Sequence, residues 1–279
     1  MTAWVFALIS SACSSMQSAF TKLGSKAAAP SGSMSFNAAK TGSVVLVFLA
    51  PAFCGFAFHL PTLFYALLYS CALITSTFCG YMALMKGSMA LSSLIASYSM
   101  IIPVVYGLGF LDEKVYPIKL VGIVLLLFSL FLLTKKNSKN KFEKSWFFYI
   151  GVTFFTNGIC SVIQKHHQML YPGSYLKEFT LVSFGIMFLF FLLVSVIRKE
   201  QPNAASFKYA VPAGLTMGGM NFLTLSLAHK MDASVLFPAV TVLSALFNFG
   251  VSAMLFKEKF SKLQILGIVL GIVSVILIK

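Results

Sequence analysis

Apolar residues along this chain fall into ten long blocks separated by short polar connections, with no sustained alternation of period two. An α-helix needs about 20 residues to cross roughly 30 Å of hydrocarbon. Windows of that size place spans at 2–21, 38–58, 62–85, 88–111, 118–134, 146–164, 179–197, 209–228, 233–256 and 263–278. Continuous blocks exclude a lipid-facing β-barrel, whose strands alternate apolar and polar positions, so helices must satisfy the backbone in lipid. The expected fold is all-α, a polytopic membrane protein of ten transmembrane helices. The first block lacks a basic n-region and a cleavage site and is read as a mature span. The longest charged connection, KKNSKNKFEK from Lys135 to Lys144, has no apolar run and reads as a solvated linker. Little chain is left outside the spans for a soluble catalytic domain.

Internal repetition organises these spans. Glu113-Lys114, seven residues and Gly122-Ile123-Val124-Leu125 recur as Glu258-Lys259, seven residues and Gly267-Ile268-Val269-Leu270, both offset by 145. Each copy lies between the fourth and fifth spans of its half. Trp4 and Trp146 each open a half, and AFTK ending at Lys22 echoes VIQK ending at Lys165. Five is odd, so two homologous halves must enter the membrane in opposite directions. The expectation is a first five-helix repeat at 1–134, a linker at 135–145 and a second, inverted repeat at 146–279. Inverted repeats that rock about a site near the midplane are the architecture of secondary transporters.

Composition agrees and adds a signal of orientation. The chain is 58% hydrophobic and 10% charged, with mean hydropathy +0.90, where a soluble domain carries about 25% charged residues. The net charge of +14 comes almost wholly from Lys, since Arg198 is the one arginine. These lysines sit beside apolar blocks, where they anchor helix ends to headgroups. No basic stripe interleaved with aromatics points to nucleic acid. The ten-span map puts five basic residues in connections on the side of the termini and fourteen on the other. The positive-inside rule then places both termini outside.

Ten spans as 5+5, a Glu closing each fourth span and a Gly-rich apolar fifth span resemble the EamA-type transporters of the drug/metabolite transporter superfamily. The resemblance implies transport of a small metabolite through a central cavity lined by spans 1, 3, 4, 6, 8 and 9, with spans 5 and 10 as outer supports. Lys40, early in span 2, falls where family members often carry a basic residue, and the second half has no such residue. The family usually keeps both termini in the cytoplasm, against the charge count.

Candidate chemistry is sparse. None of the seven acids is central to a span, which disfavours proton coupling through an embedded carboxylate. Glu113 and Glu258 are read as caps on the helix that follows each, where a carboxylate favours the N-terminal dipole, with gating as the alternative role. Ser261 and Gln264 form a capping box for span 10, and Pro117 suits the first turn of span 5. The substrate-binding candidates are Gln17, Tyr81, Tyr98, Asn157, Asn221 and Asn248. A buried carboxamide without a partner costs several kcal/mol in hydrocarbon, so it must bond another helix, water or a solute. Serines and threonines of the same helices commonly bond their own backbone. Pro103 and Pro238 are candidate helix kinks in the fourth spans of the two halves. Gly214–Gly218 and Gly267–Gly271 read as close helix packing.

His59, His166, His167 and His229 are placed at helix ends near the interface. The five cysteines form no CxxC pair, and no metal, cofactor or catalytic constellation appears, so the chain is not read as an enzyme. The expected function is an exporter or exchanger of a small organic metabolite, such as an amino acid or nucleoside-like solute, working as a monomer in the cell membrane. A lipid-linked sugar flippase and a non-transporting receptor or scaffold are the alternatives. Anionic solutes would want basic residues facing the cavity, and Lys86 and Lys230 at the ends of spans 3 and 8 are the residues available.

Overall fold

The computed structural model describes residues 2–28, 32–53, 55–86, 96, 98–111, 113, 116–134, 144–200, 204–256 and 262–278. Among these residues the chain is all-helical and forms ten α-helices. They are α1 (Thr2–Ala28), α2 (Ser33–Phe53), α3 (Leu60–Lys86), α4 (Ile101–Phe110), α5 (Pro117–Thr134), α6 (Lys144–Leu170), α7 (Leu176–Ile197), α8 (Ala204–Leu227), α9 (Ala233–Phe256) and α10 (Lys262–Ile278). The segments Ser33–Ala50, Leu60–Gly80, Ser145–Leu170 and Leu176–Ile197 are long and apolar enough to cross a membrane. Shorter apolar segments, such as Leu120–Ser129 and Ala233–Asn248, lie in the other helices. Phe148, Leu193, Ile197 and Val124 are among many large apolar side chains that face outward. A soluble surface would carry few such side chains, and this one suits membrane association.

Hydropathy windows place α3, α5, α7, α9 and α10 within about three residues. Of the expected fourth span, 88–111, residues 88–95 and 97 lie outside the described residues, and the chain turns at Ser99 and Met100 before α4. The shift of α2 has a local cause. The expected span 38–58 is shifted five residues from Ser33–Phe53. Apolar residues continue beyond the helix, but the backbone turns at Gly55, whose φ of +142° is open to glycine and strained for other residues. At the other end, Ser33, Ser35 and Asn37 alternate with Met34 and Phe36 and lower the mean hydropathy of the helix start. In α5, Pro117 opens the helix, where its missing N–H costs nothing.

The chain divides into two compact units, neither of which is a contiguous half of the sequence. The first comprises Met1–Cys71 and His167–His229. Within it α1 lies on α8, and α2 lies on both α7 and α8. Glu200 Oε2 accepts the N–H groups of Met34 and Ser35 at 2.8 and 2.9 Å, capping α2 from the end of α7. At the far end Glu178 Oε1 accepts the N–H of Ala57 at 3.2 Å, and Lys177 donates to the carbonyl of Gly55. Numbers rising along α2 thus meet numbers falling along α7, so the pair is antiparallel. Gly214 brings α8 onto α2: a Cβ there would stand 2.0 Å from the carbonyl oxygen of Lys40. One turn on, Gly218 receives Val44.

The second unit comprises Ala72–His166 and Lys230–Lys279. Here α5 lies on α10, and α9 lies on α4 and α10. Ser129 Oγ donates to the carbonyl of Gly267 at 2.7 Å, and a Cβ at Gly271 would stand 2.9 Å from Ser129 Oγ. Both GxxxG runs therefore serve close crossings between helices of this one chain. Ser129 and Ser274, each seven residues beyond the repeated glycine, are both fully buried. The second part of α3 lies along α6, with Ala83, Trp146 and Ile150 in one buried cluster.

Candidate functional site

In the second unit the carboxylate of Glu113 gathers several polar contacts. Its Oε1 accepts the N–H of Ala233 at 2.5 Å, and its Oε2 accepts the N–H and the hydroxyl of Ser234 at 3.1 and 2.6 Å. Lys165 Nζ stands 3.8 Å from Oε1, with both side chains about 95% buried at 4% and 5% exposure. The same ammonium donates to the carbonyl of Met231 at 2.7 Å. The first N–H groups of a helix have no intrahelical acceptor, so a carboxylate there meets both their hydrogen bonds and the helix dipole. Glu113 thus caps α9, not the following helix α5. Its repeat counterpart Glu258, with Lys259 and Ser261, lies outside the described residues.

The remaining sequence candidates divide into those already bonded and those left open. Asn221 of α8 accepts from the Tyr69 hydroxyl at 2.5 Å and donates to the carbonyl of Met217. Asn157 of α6 accepts from Ser76 of α3 at 2.5 Å. Tyr98 donates its hydroxyl to the carbonyl of Leu127 in α5 at 3.2 Å. These three groups tie helix to helix. The Tyr81 side chain lies outside the described residues, although its backbone belongs to α3. Gln17 and Asn248 are half-buried and have no hydrogen-bond partner among the described residues. Pro103 stands in the first turn of α4, because the chain turns at Ser99 and Met100 just before it. Pro238 is inside α9, and Pro212, not singled out by the sequence, is inside α8.

Lys40 is the residue that the residue-by-residue reading missed. It is buried at 5% exposure and has no hydrogen-bond or ion-pair partner among the described residues. Phe36 and Val44, one turn before and after it, define its face of α2. Phe36 packs on Ala210 of α8 and against Gly24 of α1, and Val44 packs against Gly218 of α8. Gln17 shares a stripe of α1 with Ser10 and Gly24, each seven residues away. Ser10 bonds Thr224 of α8 at 2.9 Å, and Gly24 meets Phe36 of α2. Lys40 and Gln17 therefore lie on faces turned toward the same three helices.

No protein-family profile and no curated protein matches this chain. One solved crystal structure, named only as a protein, superposes with a TM-score of 0.79 over 99% of this chain and 96% of that one, at 14% identity. The fold is thus shared along essentially the whole chain. It has diverged too far in sequence for that likeness to say what the chain does.

A histidine network in the first unit was also illegible beforehand. His59 stacks on Tyr175, with ring centroids 4.3 Å apart, and meets Tyr171 edge-on. Thr62 Oγ1 lies 2.9 Å from His59 Nδ1 and 3.0 Å from His167 Nε2, and His167 Nδ1 faces the Gln168 amide nitrogen at 3.1 Å. The Gly173 N–H on Gln168 Oε1 fixes the amide orientation. An amide nitrogen only donates, so the network assigns the His167 proton to Nε2 and makes the Thr62 hydroxyl a donor to His59. His167, in the last turn of α6, is fully buried among these side chains. Elsewhere, Leu120, Val121, Val124, Leu125 and Phe128 line an apolar depression of about 520 Å³ on α5. It offers no polar contact and suits acyl chains rather than a polar solute.

Proposed function

We propose that the chain is a ten-span secondary transporter of the EamA type in the cell membrane. It moves a small organic metabolite, such as an amino acid or nucleoside-like solute, by alternating access between two inverted five-helix repeats. One observation carries this reading: the five most extensive helix pairs map onto themselves or onto pairs that also meet when every label advances by five, with counting resumed at α1 after α10. The pairs α2 with α7, α4 with α9 and α5 with α10 map onto themselves. The pair α1 with α8 maps onto α6 with α3, which bond through Asn157 and Ser76. The pair α2 with α8 maps onto α7 with α3, where Ser70 Oγ donates to the carbonyl of Ser183 at 3.1 Å.

A duplicated five-helix unit inserted in both directions accounts for that pattern and for the 145-residue offset of the EK and GIVL motifs. Within the first unit, the open carboxamide of Gln17 supplies a polar group that a solute would satisfy. The test is uptake of labelled amino acids and nucleosides into vesicles holding the purified chain. Saturable uptake above protein-free vesicles for at least one solute supports the reading. Sealed vesicles with folded protein and no such uptake across the panel contradict it.

A further inference from the structure

We propose that Lys40 and Gln17 form an anion-recognition site among α1, α2 and α8, where they bind a carboxylate or phosphate group of the transported solute. The inference rests on the transport reading and narrows its substrate class to solutes that carry an anionic oxygen group, amino acids included and uncharged nucleosides excluded.

Three observations converge. An ammonium inside a membrane protein is costly unless paired, and such residues mark ligand or ion sites. The other described buried lysine, Lys165, has Glu113 and the Met231 carbonyl as partners, whereas Lys40 has none among the described residues. Second, the backbone at Lys40 is packed in place: its carbonyl accepts the Ser43 hydroxyl at 2.8 Å and lies against Gly214. Third, Gln17 comes to the same level. Cys13 of α1 lies opposite Gly219 of α8, while Ser10 bonds Thr224, so α1 and α8 are antiparallel. Gln17, one turn beyond Cys13, is then level with about residue 215 of α8, within about one helical turn of the Gly214 that touches Lys40.

A strongly hydrated point charge and a carboxamide with two N–H donors together match the acceptor oxygens of a carboxylate or phosphate. Neither side chain offers comparable recognition of a cation. The four described acids, by contrast, lie at helix ends, where three of them bond backbone N–H groups of another segment.

The experiment measures the unfolding temperature of the full chain in lipid-free detergent, with inorganic phosphate, glycine or chloride at equal ionic strength. A ligand that binds the native state raises that temperature. Phosphate or glycine should raise it by about 2–4 °C over chloride, the shift expected of a modest ligand for a chain of this size. Lys40→Met should abolish the response and raise the unfolding temperature of the unliganded protein, because an uncompensated buried charge is gone. Gln17→Leu should weaken the response.

The site is overturned if Lys40→Met lowers the unliganded unfolding temperature, which would mean that the ammonium has an internal partner. It is equally overturned if Lys40→Met keeps the full response, or if only anionic lipid, and no free anion, gives a Lys40-dependent shift. Failure of the transport reading would appear separately, as folded protein that binds anions and moves no solute.

Discussion

The Glu113 node allows a quantitative test. Replacing Glu113 by Gln keeps the side-chain size and one acceptor oxygen but removes the charge. At least one of the three hydrogen bonds from Ala233 and Ser234 is lost, at about 1.5–3 kcal/mol for a bond to a charged group. The attraction to Lys165 across 3.8 Å is lost as well, about 4 kcal/mol at an effective dielectric of 20 before desolvation is subtracted. Breaking a buried pair from one side costs about 3–5 kcal/mol in practice, and that is the expected loss for Glu113→Gln. Lys165→Met alone should cost a similar amount. The double variant should recover about 2 kcal/mol relative to the sum of the single variants, since neither charge is then left behind. Gly107→Ala approaches the node from another side: its Cβ would stand 2.8 Å from Oε2 and push the pinned carboxylate away from α9. Reversible unfolding by a denaturing detergent in mixed micelles measures all four variants. A Glu113→Gln loss below about 1 kcal/mol, or strict additivity in the double variant, would refute the node as a paired cap.

Three further outcomes follow from the geometry. Gly214→Ala should separate α2 from α8 and lower the unfolding temperature sharply, whereas Gly185→Ala in α7, whose Cβ meets nothing within 4 Å, should be neutral or slightly stabilising by helix propensity; equal effects would mean that the close crossing is wrong. Ser76→Ala should cost about 0.6 kcal/mol, the average for hydrogen bonds between membrane helices, and no more than about 1.7; adding Asn157→Leu should offset part of that loss in the same unfolding assay, and a further full loss would refute the pairing. A single cysteine placed in 135–145 should resist an impermeant thiol reagent in intact cells if both termini are outside, as the lysine distribution requires, and labelling would reverse the orientation.

Sequence and structure agree where one periodicity dominates and part where chemistry crosses between distant segments. Long apolar blocks located the helices, and GxxxG located two helix crossings, because both signals are local. The start of α2 escaped since three of its first five residues, Ser33, Ser35 and Asn37, are polar yet buried. Glu113 reads locally as a cap for α5, because nothing in its neighbourhood points to residues 233 and 234, about 120 positions away. Asn221 and Asn157 look like Gln17 in sequence, and only their contacts with Tyr69 and Ser76 separate them from the open pair. Lys40 stood out only by resemblance to a family. Its burial depends on three helices closing around one face of α2, which hydropathy along the chain does not register.

Carriage of a solute by one site exposed alternately to the two sides of the membrane, as proposed, has a kinetic signature of its own. Counterflow tests it most directly: vesicles preloaded with unlabelled solute from the uptake panel are diluted into medium with a trace of label. Alternating access gives faster and transiently concentrative entry of label into preloaded vesicles compared with empty ones, and loss of that entry in Lys40→Met. Label entry at the same rate whether or not the vesicles are preloaded, or at the rate of protein-free vesicles, would contradict it.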